Sequence, residues 1–132
     1  MPRYMLDTNI CIYVIKQTPL NLLSTFNERQ QDLCISSVTL GELHYGAEKS
    51  ARVADNLLVL EEFAARLQVL QFGASEAAHF GQLKAHLERM GTPCGPFDIM
   101  IGAHARSDGL TLVTNNRREF DRMPGLIVEN WV

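Results

Sequence analysis

The chain has 132 residues, of which 46% are hydrophobic and 20% charged, and its formal net charge is −3. This balance predicts one globular domain, residues 1–132, and excludes a disordered or collagen-like chain. No apolar run approaches the roughly 18 residues that a membrane helix needs. No secretory signal precedes the first predicted strand, so we expect a cytoplasmic protein. The mild acidity argues against wrapping a long nucleic acid, but it is compatible with holding a phosphate through a metal ion.

The first predicted element is a short buried strand at residues 3–6, which ends abruptly at the polar triplet Asp7-Thr8-Asn9. In open α/β sheets, the crevice at the carboxyl ends of the strands is where ligands bind. We expect Thr8 or Asn9 to cap the helix that follows, which leaves Asp7 free for chemistry. Considered alone, Asp7 is better explained as part of an ordinary strand-to-helix turn.

Strands and helices alternate along the remaining chain. Further strands are predicted at 33–35, 67–72, 110–113 and 126–128, and helices at 9–17, 19–29, 37–50, 52–66, 75–90, 96–107 and 117–121. This alternation predicts an α/β fold, a three-layer α/β/α sandwich with a mostly parallel central sheet. The carboxyl ends of parallel strands share one edge, so Asp7 and the turn at 114–116 should converge there.

Two further acids belong to helices that begin near the same edge. Glu42 lies in the helix after the second strand, and Asp98 lies in the first turn of the helix that Pro96 opens. Gly46 and Gly102, four residues further on, should leave space beside these carboxylates. Taken singly, Glu42 fits a solvated helix face and Asp98 a favourable interaction with the helix dipole. Together with Asp7, however, they crowd like charges at one edge, which Mg²⁺ or Mn²⁺ would relieve.

Four motifs follow one another along the chain: Met5-Leu6-Asp7-Thr8-Asn9, Ser36-x-x-Thr39-x-x-Glu42-Leu43-x-x-Gly46, Gly95-Pro96-Phe97-Asp98-x-x-Ile101 and Val113-Thr114-Asn115-Asn116-x-x-Glu119-Phe120. In this order and at this spacing they resemble the PIN-domain family, and more closely its VapC-type toxin ribonucleases from bacterial toxin–antitoxin modules. The similarity runs from residue 4 to Trp131. Each motif alone is weak evidence of kinship, whereas the ordered set is specific.

The resemblance implies a metal-dependent endoribonuclease whose acidic cluster maps onto Asp7, Glu42 and Asp98. Asp7 and Asp98 would hold Mg²⁺ or Mn²⁺, and Glu42 would act directly or through water. Many members carry an aspartate where this chain has Asn116, so Glu119, one helical turn later, is a candidate replacement. Thr114 matches a hydroxyl that supports the first aspartate.

The resemblance also implies partners and a substrate. Toxins of this type pair with themselves and with a small antitoxin whose C-terminal segment blocks the site. The most similar-looking members cut the anticodon loop of initiator tRNA and so inhibit translation. Candidate contacts to RNA phosphates are the basic residues Lys16, Lys49, Arg117 and Arg118.

Two other functions remain open at this stage. An Asp7-nucleophile phosphotransferase commonly carries a second aspartate two residues on, where this chain has Asn9. The second is a binding or co-repressor module with an inactive site, which is suggested by Asn116 at a position where many family members have an aspartate. Two further expectations are testable in a structure: that the four histidines are surface residues without ligand roles, and that Met90 belongs to the core.

Overall fold

The computed structural model describes residues 1–132, in which five strands alternate with seven α-helices and one 3-10 turn. The strands are β1 (Tyr4–Leu6), β2 (Leu33–Ser36), β3 (Gln68–Leu70), β4 (Thr111–Val113) and β5 (Ile127–Glu129). The helices are α1 (Thr8–Ile15), α2 (Leu20–Glu28), α3 (Ser37–Glu48), α4 (Val53–Ala64), α5 (Ala74–Arg89), α6 (Pro96–Ser107) and α7 (Arg117–Phe120), and the 3-10 turn is Gln30–Asp32. Every predicted element is present, and the differences are confined to the ends.

The sheet is entirely parallel, with strand order β3-β2-β1-β4-β5. The chain builds outward from β1 to β3 on one side and then returns to add β4 and β5 on the other. The topological switch point therefore lies between β1 and β4, where Leu6 is in register with Val113. Ligand crevices in open parallel sheets form at this point, beyond the carboxyl ends of the strands.

Successive residues of β1 point to opposite faces of the sheet, as strand geometry requires. Tyr4 and Leu6 pack into a core with side chains of α1, α2, α3 and α4, whereas Met5 packs into a second core with α5, α6 and α7. Burial on both faces explains why the strands read as continuous apolar runs. The predicted three-layer α/β/α sandwich is confirmed.

Two expectations about individual residues are wrong. Met90 is not a core residue, because its side chain is 64% exposed at the end of α5. His104 is not a surface residue, because its side chain is fully buried within α6. Helix α5 packs against α6, and His104 lies within the buried stretch 101–105 of α6. No helix of the structure combines the length and apolarity that a bilayer crossing demands.

Candidate active site

Asp7 follows β1 at the topological switch point and is buried, with only 4% of its surface exposed. One carboxylate oxygen, Oδ1, accepts a hydrogen bond from the backbone N–H of Ile10 (2.9 Å), so Asp7 itself is the N-cap of α1. The expectation that Thr8 or Asn9 caps this helix is therefore wrong. Capping nonetheless leaves lone pairs on both carboxylate oxygens for a further partner.

Thr114 holds the other oxygen of Asp7. It follows β4, the neighbour of β1, and its buried hydroxyl donates a hydrogen bond to Asp7 Oδ2 while accepting one from the backbone N–H of Asn116 (2.9 Å). Burial raises the pKa of Asp7, and the neighbouring charge of Glu42 adds to that rise, whereas the bonds from Thr114 and Ile10 oppose it. The carboxylate is thus fixed in position by the sheet and only partly relieved of its desolvation cost.

Glu42 reaches the same edge from α3, which Ser36 caps at the end of β2. Its Oε1 accepts a hydrogen bond from the Thr8 hydroxyl (2.7 Å), and that hydroxyl also lies 3.3 Å from the hydroxyl of Thr39. Thr8 therefore ties the carboxylate of α3 to the start of α1. Sequence reasoning treated Thr8 only as a cap and missed this contact, although the family motif contains the residue.

Asp98 lies in the first turn of α6, and the carboxyl group of Glu119 from α7 is near enough to shift its pKa. Burial raises the pKa of Asp98 to about 7, together with the nearby carboxyl of Glu119 and the charges of Glu42 and Asp7. One oxygen of Glu119, Oε2, is buried without a hydrogen-bond partner. Unpartnered buried oxygens are costly, so this one indicates a missing donor or cation.

These contacts bring all four predicted acids to one region, but they do not close them into a compact ligand set. No three of the four carboxylates have ligand atoms within 4.8 Å of one another; the one group that does is Glu76, His104 and Asp108, which belongs to α5 and α6. Carboxylates without a counter-ion repel each other, so a looser arrangement is expected before a cation binds. The all-oxygen donor set fits a hard divalent cation better than a thiophilic one.

Gly46 and Gly102 have different roles from each other. A Cβ atom at Gly46 would meet nothing within 4 Å, in keeping with the expected space beside Glu42. A Cβ atom at Gly102 would lie 2.5 Å from the Sδ atom of Met123, so this glycine makes room for core packing rather than for a ligand of Asp98.

The four basic residues predicted to contact RNA are all exposed. Lys16 borders the groove that Glu42 also lines, Lys49 lies over the ring of Tyr45, and Arg117 pairs with Asp121. Arg118 makes no ion pair. Sequence reasoning did not select Arg122, which lies beside Cys94 close to the charges of Glu119 and Asp98. Only the fold brings the loop that carries Cys94 against the end of α7.

Two open grooves adjoin the acidic site. One, of about 240 Å³, lies between α1, α3 and α4 and is lined mainly by apolar side chains such as Ile12, Ile15 and Leu60. The other, of about 600 Å³, lies between α3 and α6, with Tyr45 and Phe97 on its walls. Glu42 lines both grooves, so a molecule bound in either one would reach the acidic site.

Comparison with known proteins agrees with this geometry. A family model described as the PIN domain matches residues 4–126. The tRNA(fMet)-specific endonuclease VapC of Shigella flexneri is 55% identical over 131 residues, 99% of each chain, and a ribonuclease VapC of Haemophilus influenzae is 54% identical over all 132 residues, 100% of each chain. Among solved structures, the DNA-bound VapBC complex of Salmonella typhimurium contains a chain that is 52% identical, with a TM-score of 0.96 over 100% of both chains. The chain therefore belongs to the PIN-domain family and, within it, to the VapC ribonucleases.

Proposed function

We propose that this ribonuclease is the toxin of a toxin–antitoxin module and that it cuts initiator tRNA in the anticodon loop by metal-dependent hydrolysis. The observation that carries the metal dependence is Glu119 Oε2, which is buried and unpartnered on a carboxylate near enough to Asp98 to raise its pKa. Asp7 and Glu42 add negative charge there, and one cationic side chain nearby, Arg122, does not balance four carboxylates. A divalent cation is the simplest group that compensates such a site.

Asp7 and Asp98 would hold the cation, which we infer to be Mg²⁺ or Mn²⁺, and Glu119 would complete the set in place of an aspartate at 116. When bound, such a cation stabilises charge on a phosphodiester and makes water more acidic. Asp7 is the best-positioned ligand because the Ile10 N–H and the Thr114 hydroxyl fix both of its oxygens. Glu42, held by Thr8, would orient the attacking water and accept its proton.

A tRNA substrate is supported by the printed function of the 55%-identical Shigella relative. Proteins usually read RNA sequence in unstacked loops, and an anticodon loop offers unpaired bases beside accessible phosphates. Lys16, Lys49, Arg117 and Arg118 would contact those phosphates, with each contact adding to the salt dependence of binding. Cutting initiator tRNA would stop translation in the cytoplasm, which is where we infer that the protein acts.

A VapB-like antitoxin is supported by the VapBC complex of Salmonella typhimurium, whose toxin chain this protein closely matches. The apolar groove between α1, α3 and α4 suits a short amphipathic antitoxin segment, and Glu42 at its border would bring that segment to the acidic site. We also infer that the toxin forms a homodimer within the toxin–antitoxin assembly.

The test is cleavage of purified tRNA by the full chain with Mg²⁺, with Mn²⁺ and with chelator, followed by sequencing of the new RNA ends. We expect one dominant cut in the anticodon loop of initiator tRNA, no cut with chelator, and at least about a 100-fold loss of rate in Asp7→Asn and Asp98→Asn. Asp55→Asn, which alters an exposed carboxylate paired with Arg52, is the matched control and should cut normally.

Other results would identify the competing functions. A covalent phosphate on Asp7 would indicate a phosphotransferase. Inertness with every metal, combined with intact antitoxin binding, would indicate a binding or co-repressor module. Cleavage that survives Asp98→Asn and chelator would contradict the proposed metal site.

A further inference from the structure

A second group of ligand-type side chains lies where the end of α6 meets the start of α5. Glu76 is in the first turn of α5, and His104 and Asp108 are four residues apart at the end of α6. Two residues at this spacing lie on the same side of a helix. Nδ1 or Nε2 of His104 and one carboxylate oxygen from each acid all lie within 4.8 Å of one another.

The His104 ring is fully buried and held on two sides. Its Nδ1 is 2.8 Å from the Ser36 hydroxyl, and Phe72 packs edge-on against it with ring centres 5.8 Å apart. Its Nε2 is buried without a hydrogen-bond partner and points toward Asp108, whose Oδ2 is 3.3 Å away. In the tautomer whose Nδ1–H donates to the Ser36 hydroxyl, Nε2 is the free nitrogen, which is the arrangement usual for metal-binding histidines.

The 3.3 Å separation is long for a charge-assisted hydrogen bond, which is typically about 2.7–2.9 Å. It equals the distance of about 3.3–3.4 Å between two ligands of a tetrahedral zinc ion with bonds of about 2.0–2.1 Å. The spacing is therefore compatible with a cation bridging the two side chains.

The third ligand is already oriented. Glu76 Oε1 accepts a hydrogen bond from the backbone N–H of Gly73 (2.7 Å), and Oε2 accepts one from the Ser107 hydroxyl (3.1 Å). The carboxyls of Glu76 and Asp108 are close enough to interact, and burial with this neighbour raises the pKa of Asp108 to about 6. A divalent cation would neutralise the two carboxylates and accept the lone pair of the unpartnered imidazole nitrogen.

We propose that Glu76, His104 and Asp108 form a structural site for Zn²⁺ that clamps the start of α5 to the end of α6. One imidazole nitrogen with two carboxylates suits zinc and its first-row neighbours, whereas Mg²⁺ prefers oxygen ligands alone. This site has different chemistry from the acidic site at Asp7 and Asp98. It is joined to the rest of the fold through Ser36, which caps the helix that carries Glu42.

The test uses the full-length chain carrying Asp98→Asn, so that cation binding at the acidic site is weakened, with Zn²⁺ alone as the probe. We expect one Zn²⁺ per chain, an increase in Tm on binding, and X-ray absorption fine structure with one imidazole in the zinc shell. That imidazole distinguishes this site from the all-carboxylate site, whose shell contains only oxygen.

Asp108→Asn and Glu76→Gln, added singly to this background, should each weaken zinc binding at least about tenfold. Both side chains are accessible enough to change without unfolding the chain, unlike the buried His104. Glu88→Gln, which alters an exposed carboxylate of α5 paired with Lys84, is the matched control and should bind zinc unchanged. The proposal is overturned if no zinc binds, if the shell lacks an imidazole, or if neither variant weakens binding.

Discussion

The hydroxyl of Thr8 in α1 donates a 2.7 Å hydrogen bond to the carboxylate of Glu42 in α3, 34 residues further along the chain. Thr8 immediately follows Asp7, so this bond sets the position of one acid relative to another. Bonds from a neutral donor to a charged acceptor contribute about 1.5–3 kcal/mol when shielded from water. The contact thus connects the sheet edge, where Asp7 is fixed, to the more exposed α3.

We therefore predict that Thr8→Val, which keeps the shape but removes the hydroxyl, slows tRNA cleavage by about tenfold or more through loss of Glu42 orientation. Thr8→Ser retains the donor and should stay within a few-fold of the parent. Single-turnover cleavage rates at saturating Mg²⁺ measure the effect. Thr25→Val, at a half-buried threonine of α2 bonded only to its own helix, is the control. Equal rates for Thr8→Val and Thr8→Ser would refute the orienting role.

Replacing Glu119 is predicted to weaken metal binding while stabilising the metal-free protein. Glu119→Gln removes one of the charges that raise the pKa of Asp98, so the metal-free chain should unfold at a higher temperature near pH 7. The same change removes a cation ligand and should weaken Mn²⁺ binding and cleavage by about 10- to 100-fold. Calorimetric titration with Mn²⁺ and thermal unfolding with chelator measure the two effects. Asp121→Asn on the same short helical segment should change neither.

The raised pKa of Asp98 predicts how the stability of the metal-free protein depends on pH. From its ordinary value of 3.8 up to about 7, the folded state keeps a proton on Asp98 that the unfolded state releases. Stability must therefore fall as pH rises through this window and level off above pH 7. We expect Tm with chelator to drop by roughly 10–15 °C over this range. The pKa of Asp108, raised to about 6, adds to the loss of stability in the lower part of this pH range. Asp98→Asn should specifically flatten the segment between pH 6 and 7, and a slope that persists there would contradict the assignment.

Gly102 and Gly46 allow the same Gly→Ala change to be compared at a crowded and at an open position of a helix. Gly102→Ala places a Cβ atom against the buried Met123, and overpacking of this kind costs about 1–3 kcal/mol. Gly46→Ala meets nothing within 4 Å and replaces a mid-helix glycine, so it should stabilise the chain by about 0.5–1 kcal/mol. Chemical denaturation at pH 7 compares the two variants. No loss of stability at Gly102 would show that Met123 moves aside, and a loss at Gly46 would show that a Cβ atom there is crowded after all.

The sequence alone determined the element order and the α/β/α sandwich, because these depend on local patterns, and it selected four acids as site candidates. Alternating apolar strands and amphipathic helices leave few ways to bury both faces of a sheet. Asp7, Glu42, Asp98 and Glu119 each occupy a recognisable position in a motif. The boundary errors were small, since the helix ends depend on capping contacts that several neighbouring residues could make equally well.

Only the tertiary structure decided how these residues are used. Asp7 is the cap of α1 because the Thr114 hydroxyl on the adjacent strand orients its carboxylate, and that neighbour depends on strand order. His104 is buried because α5 lies across α6, and it then faces an acid of α5 that is 28 residues earlier in the chain. Contacts of this kind join residues with no local relationship, so no sequence period encodes them. The sequence gives the chemical type of each side chain, whereas tertiary packing determines which side chains it contacts.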